Sequence, residues 1–133
     1  MSPVRVLIAD DHELFAETLG LALGCDDRLE LTGSARNGKE AVRLALTHKP
    51  EAVLMDLEMP VLDGVRATKL LGRLLPGCAV VVLTASVSDE DASRARRAGA
   101  SAYLTKGCSA AHVADAVLEA ARPCVPATLA QTA

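Results

Sequence analysis

Val53-Leu54-Met55-Asp56-Leu57-Glu58-Met59-Pro60 is the stretch on which the fold turns. Its apolar run stops at one carboxylate, Asp56, and the chain then breaks at Met59-Pro60 and again at Asp63-Gly64. A run of this length bounded by Pro and Gly reads as a buried strand. Asp56 is thereby placed at the strand's C-terminal end, where open α/β sheets gather their chemistry.

The pattern recurs on both sides of it. Val4 to Ala9 (VRVLIA) is almost continuously apolar and halts at Asp10-Asp11. Ala79 to Leu83 (AVVVL) ends on Thr84-Ala85-Ser86, and Ala102 to Thr105 runs into Lys106-Gly107. Leu29 to Ser34, interrupted by Glu30 and Thr32, reads as an edge strand. Helical spacing occupies the intervals. Phe15, Leu19, Ala22 and Leu23 mark the inner face of a helix over Glu13 to Leu23, and Ala41, Val42, Ala45 and Leu46 that of a second over Lys39 to His48. Val65 to Leu75, Asp89 to Ala98 and Ala110 to Ala121 supply three more, closed by Pro76-Gly77, Gly99 and Pro123. Alternation of five strands with five helices through short connections predicts an α/β fold, a five-stranded parallel sheet with helices on both faces.

The 133 residues make one domain, predicted over 1–121, with a linker-like tail over 122–133 (RPCVPATLAQTA). Half the residues are hydrophobic, yet the aromatics are only Phe15 and Tyr103, so the core is built of Val, Leu and Ala. A net charge of -3 leaves no footprint for nucleic acid or an anionic membrane. Cys25, Cys78, Cys108 and Cys124 form no C-x-x-C pair, which points to free thiols in a reducing compartment. No segment approaches the roughly 20 apolar residues of a membrane span. The expectation is a cytoplasmic protein.

Parallel strands bring their C-terminal ends to one edge, which gathers Asp10, Asp11, Asp56, Thr84 and Lys106. Three neighbouring carboxylates repel one another unless a hard divalent cation such as Mg²⁺ sits among them. A lysine and a hydroxyl on the same rim suit the oxygens of a phosphoryl group. Singly, Asp56 reads as a helix cap or loop residue, Lys106 as a surface lysine and Thr84 as a cap; the specific signal is their conjunction.

The quoted runs IADDH, LMDLEMPVLDG, VVLTA and AGASAYLTKG resemble the CheY-like receiver domain of two-component response regulators, over Val4 to Ala121. IADDHELFAETL is most similar to the NarL/FixJ type. The resemblance implies the sheet order 2-1-3-4-5. It implies Asp56 as phosphoacceptor, Mg²⁺ bound by Asp10, Asp11, Asp56 and the backbone carbonyl of Glu58, and Lys106 contacting the phosphoryl group. Thr84 would be the switch hydroxyl and Tyr103 the aromatic that turns with it, while Glu58 and Ser86 tune dephosphorylation. It further implies a sensor histidine kinase as partner, and DNA binding only through a C-terminal helix-turn-helix output domain that this chain does not contain. The domain would catalyse only its own phosphorylation and dephosphorylation. One departure is Lys106-Gly107 where many receivers carry Lys-Pro, so a cis bond is not expected there.

On the last helix Val113, Ala116, Val117 and Ala120 make an inward stripe, leaving Ala111, Ala114, Leu118 and Ala121 as a second apolar row. Leu14 and Leu21 are left over on the first helix. Two apolar sides predict a homodimer through helices one and five, with Leu14, Leu21, Ala114 and Leu118 as interface candidates; the bland reading is scattered surface apolar residues. Three other functions compete. A small Mg²⁺-dependent aspartyl phosphatase would need a second Asp two residues beyond Asp56, where Glu58 stands. A stand-alone receiver would act through protein interaction. A flavodoxin-like cofactor domain would need a Gly- and hydroxyl-rich first loop in place of Asp-Asp-His.

Overall fold

A computed structural model describes residues 2–121. The predicted tail over 122–133, with Cys124, lies outside the described residues. The elements follow in strict alternation: β1 Val4–Ala9, α1 Glu13–Gly24, β2 Leu29–Ala35, α2 Gly38–His48, β3 Ala52–Met55, α3 Gly64–Leu74, β4 Ala79–Thr84, α4 Asp89–Ala98, β5 Ala102–Thr105 and α5 Ala110–Ala120. The strands lie in the order β2-β1-β3-β4-β5, all pairs parallel, as expected.

Side-chain alternation along the central strands builds two cores. Leu7, Ala9, Val53, Met55, Val80 and Val82 face one way, onto Ala41 and Ala45 of α2, Ala67 and Leu71 of α3, and Ala95 and Ala98 of α4. Their neighbours Val6, Ile8, Ala52, Leu54, Val81 and Leu83 face the other way, onto Ala16, Leu19 and Leu23 of α1 and Val113, Ala114 and Val117 of α5. This two-sided burial explains why β1, β3 and β4 read as unbroken apolar runs. Both sheet edges are less buried: β2 exposes Glu30, Gly33 and Ser34, and every residue of β5 is half-buried. The β1–β2 register slips by one residue at Thr32, whose Oγ1 bonds Val6 O at 3.3 Å. Such a bulge suits an edge.

Helix starts are set by local side chains. Asn37, Asp63, Ser88 and Ser109 each accept a hydrogen bond from a backbone N–H in the first turn of α2, α3, α4 and α5. His12 precedes α1 and makes no such bond.

Four expectations are corrected. On α2, Leu46 is exposed at 41% and Leu44 packs against the core instead. On α1, Ala22 is exposed and Ala16 takes its place in the core, with Phe15 half-buried. On α5, the inward stripe is Val113, Ala114 and Val117, and Ala116 and Ala120 are only half-buried. Ala114 is 2% exposed, and Leu118 packs against the same core, so neither belongs to a free second face. The reason is that α5 packs on α1 as well as on the sheet, and a helix wedged between two neighbours buries a wider arc. Of the four interface candidates, Leu14 and Leu21 alone stand out of the surface, at 77% and 72%.

The loop from Asp56 to α3 is held by close backbone approaches. Gly64 lies where a Cβ would come within 2.0 Å of Asp56 O, and Gly38 where one would come within 2.1 Å of Leu62 O. Gly64 N bonds Leu57 O, and Gly38 N bonds Leu62 O, both at 2.9 Å. Between these anchors Val61 adopts φ 70, a left-handed conformation unfavourable to a β-branched side chain, while Leu62 N bonds Pro60 O at 2.8 Å. A tight three-residue turn thus sits beside the phosphoacceptor candidate, its strain carried by the bonds on either side.

Candidate functional site

Backbone pairing runs one residue past each strand and so fixes the heads of the site residues. Asp10 N bonds Ala35 O, Asp56 N bonds Ala9 O and Lys106 N bonds Thr84 O, each at 2.9 Å. Asp10 and Asp56 are both 3% exposed. Two carboxylates this buried need a counter-charge, and Lys106 provides it: Nζ lies 2.8 Å from Asp10 Oδ2 and 3.2 Å from Asp56 Oδ2. The same ammonium sits 4.6 Å above the centre of the Phe15 ring, an attractive cation–π arrangement.

These neighbours bias the protons. Burial, reinforced by the charge of Asp10, raises the Asp56 pKa above the ordinary aspartate value, and Lys106 opposes the rise. Burial by itself would lower the Lys106 pKa, but its hydrogen bond to Asp10 and the charges of Asp56 and Asp10 outweigh burial and raise it. The lysine therefore stays protonated. Glu58 N donates weakly to Asp56 Oδ1 at 3.4 Å.

His12, absent from the sequence-predicted site, stands among the carboxylates. Its backbone N donates to Asp10 Oδ1 at 2.8 Å, and Nδ1 lies 3.2 Å from Asp10 Oδ1, 3.4 Å from Asp11 Oδ1 and 3.7 Å from Asp56 Oδ2. One ligand atom from each of Asp10, Asp11, His12 and Asp56 falls within 4.8 Å of the others. Carboxylate donors of this number suit a hard divalent cation. Asp11, His12 and Glu58 also line an open cleft of about 590 Å³ with Met59, Pro60 and Arg94. Of the three arginines on α4, only Arg94 reaches that cleft.

Thr84 ends β4 opposite Thr105 and is 1% exposed. Its Oγ1 accepts from Ser86 N at 3.3 Å. Ser86 spends every polar group: its Oγ donates to Asp91 Oδ2 at 2.6 Å and accepts from Ser88 N at 3.2 Å, and its carbonyl accepts from Tyr103 Oη at 2.9 Å. Tyr103, half-buried, thus points its hydroxyl at the β4–α4 loop. The structure gathers Asp10, Asp11, Asp56 and Lys106 into one cluster and connects Thr84 to Tyr103 through Ser86. Phe15 and His12 escaped the sequence reading because the first fits the core pattern and the second, though part of the IADDH run, is given no role by the resemblance.

Residues 6–118 match the family described as the response regulator receiver domain. The chain is 40% identical over 119 residues to the transcriptional regulatory protein LiaR of Bacillus subtilis, covering 90% of this chain and 56% of LiaR. It is 38% identical over 119 residues to the response regulator protein VraR of Staphylococcus aureus, covering 90% of this chain and 57% of VraR. The chain thus spans little more than half the length of these curated relatives. Among solved structures, the signal receiver domain of the response regulator NarL from Mycobacterium tuberculosis superposes with a TM-score of 0.88 at 29% identity, over 92% of this chain and 98% of that one. With the fold, the strand-end carboxylates and these relatives in agreement, the chain belongs to the response regulator receiver domain family, among relatives of the NarL type.

Proposed function

We propose that this domain accepts a phosphoryl group on Asp56 from a histidine kinase, with Mg²⁺ as cofactor, and relays its phosphorylation state to an output. The observation that carries the reading is the single lysine bridging two buried carboxylates at the ends of β1 and β3. An Asp56 oxygen forms a bond to the phosphorus of the donor as the phosphorus–nitrogen bond breaks, and the leaving imidazole takes up a proton. Lys106 offsets charge on the phosphoryl oxygens and keeps Asp56 in line. Asp10, Asp11, Asp56 and the Glu58 carbonyl would hold Mg²⁺, which when bound neutralises the carboxylates and the incoming phosphoryl oxygens. Hydrolysis reverses the modification, as water attacks phosphorus and the phosphorus–oxygen bond breaks to restore the carboxylate.

Thr84 serves as the switch: its hydroxyl accepts from Ser86 N and keeps its own proton to donate to a phosphoryl oxygen, and the Ser86 carbonyl is the point that Tyr103 grips. The reading supported by LiaR, a transcriptional regulatory protein, is control of transcription through a DNA-binding output domain in a longer, cytoplasmic protein. No external metabolite is turned over. Among the described residues no helix is long and apolar enough to cross a membrane. A homodimer through α1 narrows to Leu14 and Leu21, since Ala114 is buried within the chain.

Intact-mass analysis after acetyl phosphate with Mg²⁺, on wild type and Asp56→Asn, tests the reading. One phosphoryl adduct on wild type and none on the variant is expected; an unmodified wild type overturns it. Sedimentation of Leu21→Glu beside wild type with beryllofluoride tests the dimer, and identical masses overturn that part.

A further inference from the structure

We propose that His12 is a nitrogen ligand of the divalent cation at this site, tilting its selectivity from Mg²⁺ toward a transition-metal ion such as Mn²⁺; the inference rests on the divalent-cation reading above. Asn37, Asp63, Ser88 and Ser109 spend their side chains capping helices, but His12, at the corresponding place before α1, makes no capping bond. Its extended backbone, φ -83 and ψ 92, lets the ring fold over the strand ends, and the bond from its N–H to Asp10 Oδ1 holds it there.

The distances suit a shared ion. Around a cation bonded at about 2.1 Å in octahedral geometry, adjacent donors lie about 3.0 Å apart and opposite ones about 4.2 Å. His12 Nδ1 stands 3.2, 3.4 and 3.7 Å from one oxygen each of Asp10, Asp11 and Asp56, inside that interval. The position also already faces positive charge. Lys106 Nζ lies 3.3 Å from Nδ1. In the tautomer with its proton on Nε2, Nδ1 turns its one lone pair to that side, where a cation held by the carboxylates would meet it. Carboxylates and carbonyls alone suit Mg²⁺, whereas an imidazole among them favours transition-metal ions.

Mn²⁺ is the probe, read by electron spin-echo envelope modulation on the whole chain. Modulation from a coordinated imidazole ¹⁴N is expected in wild type, absent in His12→Ala and retained in His48→Ala, which alters an exposed residue at the end of α2. The ratio of the Mg²⁺ to the Mn²⁺ dissociation constant should fall about tenfold in His12→Ala, the lower end of the range for loss of a metal-site partner. Saturable Mn²⁺ binding to wild type without nitrogen modulation overturns the ligand assignment and leaves the receiver reading standing. Absence of saturable Mn²⁺ and Mg²⁺ binding overturns both.

Discussion

Lys106 Nζ stands 3.2 Å from Asp56 Oδ2, tying the end of β5 to the end of β3 across the intervening β4. Its other partner, Asp10 at 2.8 Å, extends the tie to β1, so one ammonium closes the rim of the sheet. Lysine is suited to this because its flexible stem delivers a compact charge with several donors.

Removing that charge strands two buried carboxylates. Lys106→Met, which keeps the stem, should cost about 3–5 kcal/mol near neutral pH by urea denaturation. The Asp56 pKa is already raised, and loss of the lysine removes what opposes the rise. As pH falls Asp56 therefore takes up a proton and the cost should shrink. An equal loss at pH 7.5 and pH 4 would show that carboxylate repulsion is not its source.

Asp56→Asn should stabilise the unphosphorylated protein while abolishing modification. A carboxyl whose folded pKa lies above its unfolded value binds protons more tightly when folded, so its favourable contribution is present at low pH and is lost as pH rises through the folded value. At pH 7.5 wild type therefore carries the burden of an ionised, buried Asp56 and the amide does not. A Tm gain of about 3–5 °C is expected at pH 7.5, converging on wild type toward pH 4. A gain that is independent of pH would contradict the raised Asp56 pKa.

Two glycines of α3 should respond in opposite directions to the same change. Gly64→Ala drives a methyl toward the Asp56 carbonyl and should cost about 1–3 kcal/mol and slow phosphorylation, because relief requires moving the nucleophile's own backbone. At Gly72 an added methyl would meet nothing within 4 Å, so Gly72→Ala should gain about 0.5–1 kcal/mol from helix propensity. Thermal melts of the pair check both signs; equal effects would remove the case for a tight approach at Gly64.

Ser86 and Asp91 should act as a unit. Ser86→Ala and Asp91→Ala should each cost about 1 kcal/mol. The double variant should fall short of their sum by at least about 0.5 kcal/mol, the interaction energy of residues in direct contact. Tyr103 is the one tyrosine in a chain without tryptophan, so its fluorescence follows unfolding beside the very loop under test. Strict additivity would mean that the 2.6 Å bond carries no net energy.

The architecture was legible because its causes are local. Strands buried on two faces leave unbroken apolar runs, and Pro, Gly and short polar side chains end or begin the helices between them. The placement of Asp10, Asp56, Thr84 and Lys106 on one edge follows once every strand is parallel. What the linear pattern left open depends on rotation and reach. Ala114 and Ala116 are both small apolar residues on one helix, and the choice between them was made by α1 packing beside α5. Phe15 fits the core pattern of α1 yet lies half-buried beneath an ammonium that arrives from the far end of the chain. His12 sits next to two acids in the chain, but only the backbone angles before α1 turn its ring toward the pocket. Residue order thus determined which groups meet at the sheet edge, whereas their contacts were decided by three-dimensional packing, since side-chain direction depends on neighbours distant in the chain.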